Sequence, residues 1–262
     1  MKNNELKKMI LDERTTNSSS LLIENKLNSL FDSDRQNRED RVGMHGSGVI
    51  ASDSDFCFRQ QVLSFFFKGI DPIIPIGLKR IFLEGWYIHT KWQTLFEQTG
   101  IARGIEQRGV SNEWKLLFTP DAIIELEGKT YVVEIKSVNT FQFKHMKSHP
   151  SGEKQCRLYM HFTGIPRGFV LAEDKNTQEI KVFPVEYDAI KVKPYVERMY
   201  KVKEYIKRYE ETGKLPSRMC NGEKCKMAER CAYRDACFNI NKIPLDEKQM
   251  KRLKKKWSKN DD

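Results

Sequence analysis

Apolar positions recur along this chain with two different periods. Residues 52–68 and 79–99 carry wide apolar faces at helical spacing, and they predict two helices. Between 105 and 138 the period shortens. The segment WKLLFTPDAIIELEGKTYVVEIKSV reads as a β-meander: Trp114 to Phe118, Ala122 to Leu126, a turn at Glu127-Gly128-Lys129, then Thr130 to Val138. Residues 153–163 predict a short helix. Arg167 to Ala172 and Ile180 to Val185 predict two further strands, parted by a polar turn over Glu173-Asp174-Lys175-Asn176-Thr177. A long charged helix over 186–212 ends at Thr212-Gly213, as helices that stop at glycine do. Residues 1–45 are polar and charged, with Leu and Ile only partly in helical register, and they predict a loosely attached helix or arm. His45-Gly46-Ser47-Gly48 signals a linker. A cysteine-rich segment, 220–237, and a basic tail close the chain, and no internal repeat is visible.

The last strand of the meander combines two opposed tendencies. Tyr131-Val132-Val133 and Ile135 predict burial, yet Glu134 and Lys136 interleave with them. Strand side chains alternate, so these two charges share one face. Burying them is costly unless they meet a partner or a metal. Asp121, in Thr119-Pro120-Asp121, stands ahead of them. Asp121 and Glu134 could supply hard oxygen ligands to Mg²⁺. Lys136 could orient or polarise an attacking water, or neutralise charge on a phosphate. An ordinary hairpin with both charges on a solvated face is the plainer reading. Gln155 and Tyr159 stand i, i+4 on a helix and can point together at a substrate backbone; a helix edge with Tyr159 half buried fits equally. His89, in Gly85-Trp86-Tyr87-Ile88-His89, is either a satisfied core histidine or a third metal ligand beside two carboxylates.

Charge and length change the picture next. A chain of 262 residues can bury a full core and form one large domain, or one domain with an appendage. The formal net charge of +10 and a pI near 9.2 point to a polyanionic partner and say nothing about fold. No apolar run is long enough to cross a membrane, and MKNNELKKMILDERTTN lacks the apolar core of a signal peptide, so a cytoplasmic protein is expected. Six cysteines in such a reducing compartment argue against a disulfide framework.

His89, Asp121, Glu134-x-Lys136 and Gln155-x-x-x-Tyr159 occur in the order seen in the RecB-like branch of the PD-(D/E)XK nuclease superfamily, with the proline before Asp121 also present. The cysteines narrow the likeness. Cys57 stands before the motifs, and Cys220, Cys225, Cys231 and Cys237 stand after them. One cysteine before and three after the core resembles the Cas4-like and AddB-type iron–sulfur nucleases. The resemblance covers roughly residues 46–238, between the arm at 1–45 and the tail at 239–262.

That resemblance implies an α/β fold of the restriction-endonuclease-like kind: a central mixed sheet flanked by helices, with a cysteine-ligated region. It implies Mg²⁺- or Mn²⁺-dependent cleavage of DNA phosphodiesters, with His89, Asp121 and Glu134 as metal ligands and the Ile135 carbonyl as a further one. Lys136 would position the hydrolytic water, and Gln155 and Tyr159 would hold the DNA strand. It also implies a [4Fe–4S] cluster on Cys57, Cys220, Cys231 and Cys237, with Cys225 as the alternative to Cys220 and Zn²⁺ as the chemical alternative for a Cys₄ site. The late run, Cys220-x4-Cys225-x5-Cys231-x5-Cys237, departs from the usual C-x2-C-x5-C ending, since position 228 is Ala. Cys156 is assigned to packing. Such a cluster would staple the late segment to the early helix at Cys57. The tail residues Lys248, Lys251, Arg252, Lys254, Lys255, Lys256 and Lys259 are either a solvated helix face or non-specific phosphate contacts. The implied activity is an exonuclease on single-stranded DNA ends, in recombination, repair, end processing or CRISPR spacer processing. A non-catalytic nucleic-acid-binding protein of the same fold is the alternative.

Overall fold

The computed structural model describes residues 20–29, 43–70, 74–111, 116–240, 244–248 and 250–251. They divide into two compact units, 20–29 with 74–82, and 43–70 with 83–251. In the smaller unit residues 20–29 are helical, and the Arg80 guanidinium donates to Asn28 Oδ1. The larger unit carries both sheets and the helices that flank them.

Its strands are β1 (Met44–His45), β2 (Ala102–Ile105), β3 (Gly109–Ser111), β4 (Leu116–Phe118), β5 (Ala122–Leu126), β6 (Lys129–Val138), β7 (Arg167–Asp174) and β8 (Ile180–Glu186). Its helices are α1 (Gly46–Val49), α2 (Phe58–Leu63), the part of α3 (Ile76–Gln98) from Leu83 onward, α4 (Thr140–His145), α5 (Pro150–Thr163), α6 (Ala189–Thr212), α7 (Lys226–Glu229) and α8 (Arg234–Phe238). A five-stranded mixed sheet runs β2-β5-β6-β7-β8, in which only β6 and β7 are parallel. The chain between them is the crossover that parallel pairing requires, and α5 supplies it. A second sheet, β1-β4-β3, is also mixed.

Alternation along the central strands sorts side chains to two cores. Val133 and Ile135 of β6 and Leu171 of β7 pack with Ile88 and Phe96 of α3. Val132 and Val170 face the other way, onto Cys156, Leu158 and Met160 of α5 and Met199 and Val202 of α6. Glu134 and Lys136 share the α5 side with Val132, as their spacing predicts. α5 starts at a His149 cap whose Nδ1 accepts the Gly152 N–H at 3.1 Å, and it stops at Gly164 in the left-handed region (φ 70°).

Four expectations change. The helix expected over 52–68 is only Phe58–Leu63, with Cys57 as its cap. The meander is not one sheet: β4 pairs with β1 and β3, whereas β5 pairs with β2 and β6. Pro120 stands at the switch and has no N–H to continue a ladder. Residues 45–48 are not a linker. Met44, Gly46 and Val49 are buried, and a Cβ on Gly46 would lie 2.6 Å from Tyr159 Cε1, so this glycine serves close approach. The polar turn after β7 starts later than expected, because Glu173 and Asp174 continue the strand and are buried. The end of α1 and the residues after it are held by Arg198, which donates to the Val49 carbonyl at 2.9 Å and the Ala51 carbonyl at 2.5 Å. Among the described residues, no helix is long and apolar enough to cross a membrane.

Candidate active site

β5 pairs with β6 only as far as Ala122 opposite Val133, so the register sets Asp121 beside Glu134. Among the described residues, no strand then covers that edge of β6. The Asp121 side chain takes its place, with Oδ2 accepting the Ile135 N–H at 2.6 Å. On the far side of Asp121, α3 delivers two groups one turn apart. His89 Nδ1 lies 3.3 Å from Asp121 Oδ1, and Gln93 Nε2 donates to the Asp121 carbonyl at 3.0 Å. Gln93 Nε2 also reaches Glu106 Oε1 at 3.3 Å, and Glu106 holds a left-handed φ of 42°.

Glu134 is 1% exposed. Its Oε1 accepts from Lys136 Nζ at 2.5 Å, while Oε2 is buried with no hydrogen-bond partner. Burial, and next the Asp121 charge, push the Glu134 carboxyl up to about 8, although Lys136 pulls the other way. Lys136 Nζ also donates to Gln155 Oε1 at 3.3 Å, and Gln155 Nε2 donates to the Tyr159 hydroxyl at 2.9 Å. A polar chain thus runs from Glu134 through Lys136 and Gln155 to Tyr159. Gln155 and Tyr159 do point together, but Tyr159 is 4% exposed and packs against Gly46. Burial, then Glu134, raises its phenol above the ordinary range. Ile135 is fully buried on the α3 side, and only its backbone faces Asp121.

Two features were not drawn from the sequence. The His149 imidazole is held below its ordinary pKa by burial and then by the Lys136 charge. Glu173, 1% exposed, accepts from Lys91 Nζ at 2.5 Å and Trp92 Nε1 at 2.6 Å. Neither position belongs to a spacing pattern. A surplus of polar residues at a predicted turn conceals a buried acid, and only the tertiary contact reveals it.

The cysteines fall into two groups. Cys156 is fully buried, with Sγ 3.6 Å from the Val132 carbonyl and 3.8 Å from Met160 Sδ. The other five are half-buried and near one another. Burial, followed by a hydrogen bond that Cys220 donates to Cys225 and by the charges of Cys225, Cys57 and Cys231, pushes Cys220 up to about 12. Burial pushes Cys231 up to about 11, with Cys57 and Cys237 adding to the rise. Cys57 and Cys225 cap helices, their Sγ atoms accepting the Gln60 and Ala228 N–H groups at 3.4 Å. The Ala228 contact lowers the Cys225 thiol. Among the described residues, no group of three or more His, Cys, Asp or Glu side chains is gathered as a finished metal site. Of the tail residues, those from Arg252 onward lie outside the described residues.

No family model matches the chain, and no curated protein matches it. Among solved structures it is similar to an alkaline exonuclease from Laribacter hongkongensis, at TM-score 0.47 and 15% identity, over 65% of this chain and 93% of that one. The complex of that exonuclease with dAMP gives TM-score 0.46 over the same shares. The protein SSO0001 gives TM-score 0.45 and 12% identity over 70% of this chain and 87% of the other. Likenesses this slight establish neither a fold family nor an activity.

Proposed function

We propose that the chain is a divalent-metal-dependent DNA nuclease, most concretely an exonuclease acting on single-stranded ends. The observation that carries this reading is Glu134. A carboxylate at 1% exposure, with one oxygen unpartnered and a second carboxylate beside it, is an arrangement that a divalent cation relieves. His89, Asp121 and Glu134 would hold Mg²⁺ or Mn²⁺, with the Ile135 carbonyl as a further donor, and these are hard or borderline ligands suited to such ions. The bound ion would polarise a phosphoryl oxygen and lower the pKa of a coordinated water.

The chain's own residues would do the rest. Lys136 presents an ammonium where negative charge grows on the phosphate, and Gln155 fixes its direction. Tyr159 is too buried to touch DNA, so its part in this reading is to brace Gln155, which leaves Gln155 to meet the strand. The net charge of +10 suits a polyanionic substrate. A [4Fe–4S] cluster on Cys57, Cys231, Cys237 and one of Cys220 and Cys225 belongs to the same reading. Neighbouring thiols help to raise the pKa of Cys220 and Cys231, and a metal cluster would neutralise such a donor set; Zn²⁺ is the alternative occupant.

The test is digestion of end-labelled single- and double-stranded DNA, linear and circular. Shortening of the linear single strand in Mg²⁺ or Mn²⁺, and none in EDTA, is expected. Glu134→Ala or Lys136→Ala should slow cleavage at least about 100-fold while DNA binding persists. Cleavage near the parent rate by either variant would remove the active-site assignment. Binding without cleavage by the parent would make the protein a non-catalytic DNA binder.

A further inference from the structure

We propose that Glu173 is a positioning residue for the metal-binding groups, acting through Lys91 and Trp92; the inference rests on the nuclease reading above. Phe169, Leu171 and Glu173 alternate onto the α3 face of β7, and the first two join the apolar cluster there. Glu173 takes the third place in that row with 1% exposure. Both its oxygens are satisfied by consecutive residues of α3: Lys91 Nζ at 2.5 Å and Trp92 Nε1 at 2.6 Å. These are short, charge-assisted bonds, and charge-assisted bonds are directional.

The same turn and a half of α3 carries His89 and Gln93, the two groups that meet Asp121. Lys91 and Trp92 lie between them in sequence. Anchoring residues 91 and 92 to the end of β7 therefore fixes both the rotation and the axial position of the helix where it faces Asp121. Apolar packing of Ile88 and Phe96 holds the helix against the sheet, but it is non-directional and leaves the rotation loosely set. Stability alone does not call for an acid at this place. An apolar side chain of similar volume in a buried ion pair is often neutral or stabilising, and Lys91, 39% exposed, loses side-chain freedom by being tied down. A carboxylate there makes physical sense as a directional anchor for His89 and Gln93.

The experiment is a Mn²⁺ titration of metal-free protein without DNA, with free Mn²⁺ read by electron paramagnetic resonance. The relevant site is the binding that Asp121→Ala abolishes. Glu173→Gln keeps the volume but offers a single acceptor oxygen, and Lys91→Met removes one donor. Both should weaken Mn²⁺ binding about tenfold or more, the range seen when a group that orients a metal ligand is removed. The DNA affinity of Glu173→Gln in EDTA should stay within about twofold of the parent, because Glu173 is buried away from solvent. A merely structural residue would lower the thermal midpoint and leave Mn²⁺ affinity alone. Mn²⁺ affinity within about twofold of the parent in folded variants would therefore overturn the inference. If Glu173→Gln does not fold, Lys91→Met decides, since it alters a partly exposed side chain. If the parent itself shows no Mn²⁺ site that Asp121→Ala removes, the nuclease reading and this inference both fall. If the parent binds and the variants equal it, only this inference falls.

Discussion

Glu134 keeps its proton far above the range of a free carboxylate, and that has a measurable consequence. Its pKa rises from 4.5 to about 8 on folding, chiefly by burial and then by Asp121. In metal-free buffer the folded protein holds a proton between those values that the unfolded chain has released. The stability this group contributes is complete below the unfolded pKa and is lost as pH rises through the folded one. The thermal midpoint of the parent in EDTA should thus fall relative to Glu134→Gln between about pH 5 and 8. Saturating Mn²⁺ should abolish the fall, because a bound cation stabilises the charged form. A gap between the two proteins that does not vary with pH would show that Glu134 ionises freely. At the same scale, Tyr159→Phe removes one hydroxyl from the chain Glu134–Lys136–Gln155–Tyr159. Removing one hydrogen bond corresponds to about a 2- to 10-fold fall in the cleavage rate, and metal affinity should hold. A fall in metal affinity with the rate per bound metal unchanged would mean that Gln155 and Tyr159 serve the cation rather than the strand.

Elements bring these residues together, and one of the smallest is decisive. α1 fits under Tyr159 only because position 46 is glycine, since a Cβ there would meet Tyr159 Cε1 at 2.6 Å. Tyr159 is hemmed in by its bond to Gln155, so the clash is not cheaply relieved. Gly46→Ala should cost about 1–3 kcal/mol in urea unfolding, in the range for overpacked cores, and should lower cleavage along with Tyr159→Phe. Unchanged stability would mean that α1 can step back from α5. The same region marks the limit of what the sequence conveys. β5, the turn at Glu127-Gly128 and β6 follow from alternation and from glycine, and the two residues of that turn adopt φ of 49° and 71°. The shared face of Glu134 and Lys136, and the i, i+4 pairing of Gln155 and Tyr159, follow from element geometry alone. The placement of β4 in another sheet does not, because it depends on β1, which lies far earlier in the chain. A run of His-Gly-Ser-Gly looks like a linker when nothing indicates the ring that needs the missing Cβ. Likewise Glu173 looks like turn material until Lys91 and Trp92 arrive from a distant helix.

At the scale of the whole molecule, charge and cysteines tie distant parts of the sequence to one task. Truncation after Leu245 removes the basic tail and should lower DNA affinity and flatten its dependence on salt, by about 0.7 in logarithmic slope for each single-strand phosphate that the tail neutralises. Cleavage chemistry should survive; an unchanged slope would make the tail a solvated surface. The late cysteine segment is already docked on the early one. Arg59 of α2 donates to the Pro216 carbonyl at 2.8 Å and the Cys237 carbonyl at 3.4 Å, and Arg218 donates to the same Cys237 carbonyl at 3.0 Å. Leu63 and Phe67 pack with Ala236, and Tyr233 and Cys237 border them. These contacts hold Cys57 beside Cys231 and Cys220, where its charge adds to the rise in their pKa. A metal cluster would replace that repulsion with bonds and close a loop of most of the domain. Protein purified without air should accordingly be brown and carry one iron–sulfur cluster. Cys57→Ser should lose most of the iron and lower the thermal midpoint on the order of 10 °C, the shift expected when a several-kcal/mol cross-link is removed from a chain of this size. Cys156→Ser should leave the iron in place, since that thiol sits in the core beneath β6. Cleavage should fall in Cys57→Ser only as far as folding does, because the groups proposed to carry hydrolysis stand on other elements. Elemental analysis decides the occupant: stoichiometric zinc, with neither iron nor acid-labile sulfide in protein never exposed to air, would replace the cluster with a Cys₄ zinc clip that performs the same cross-link.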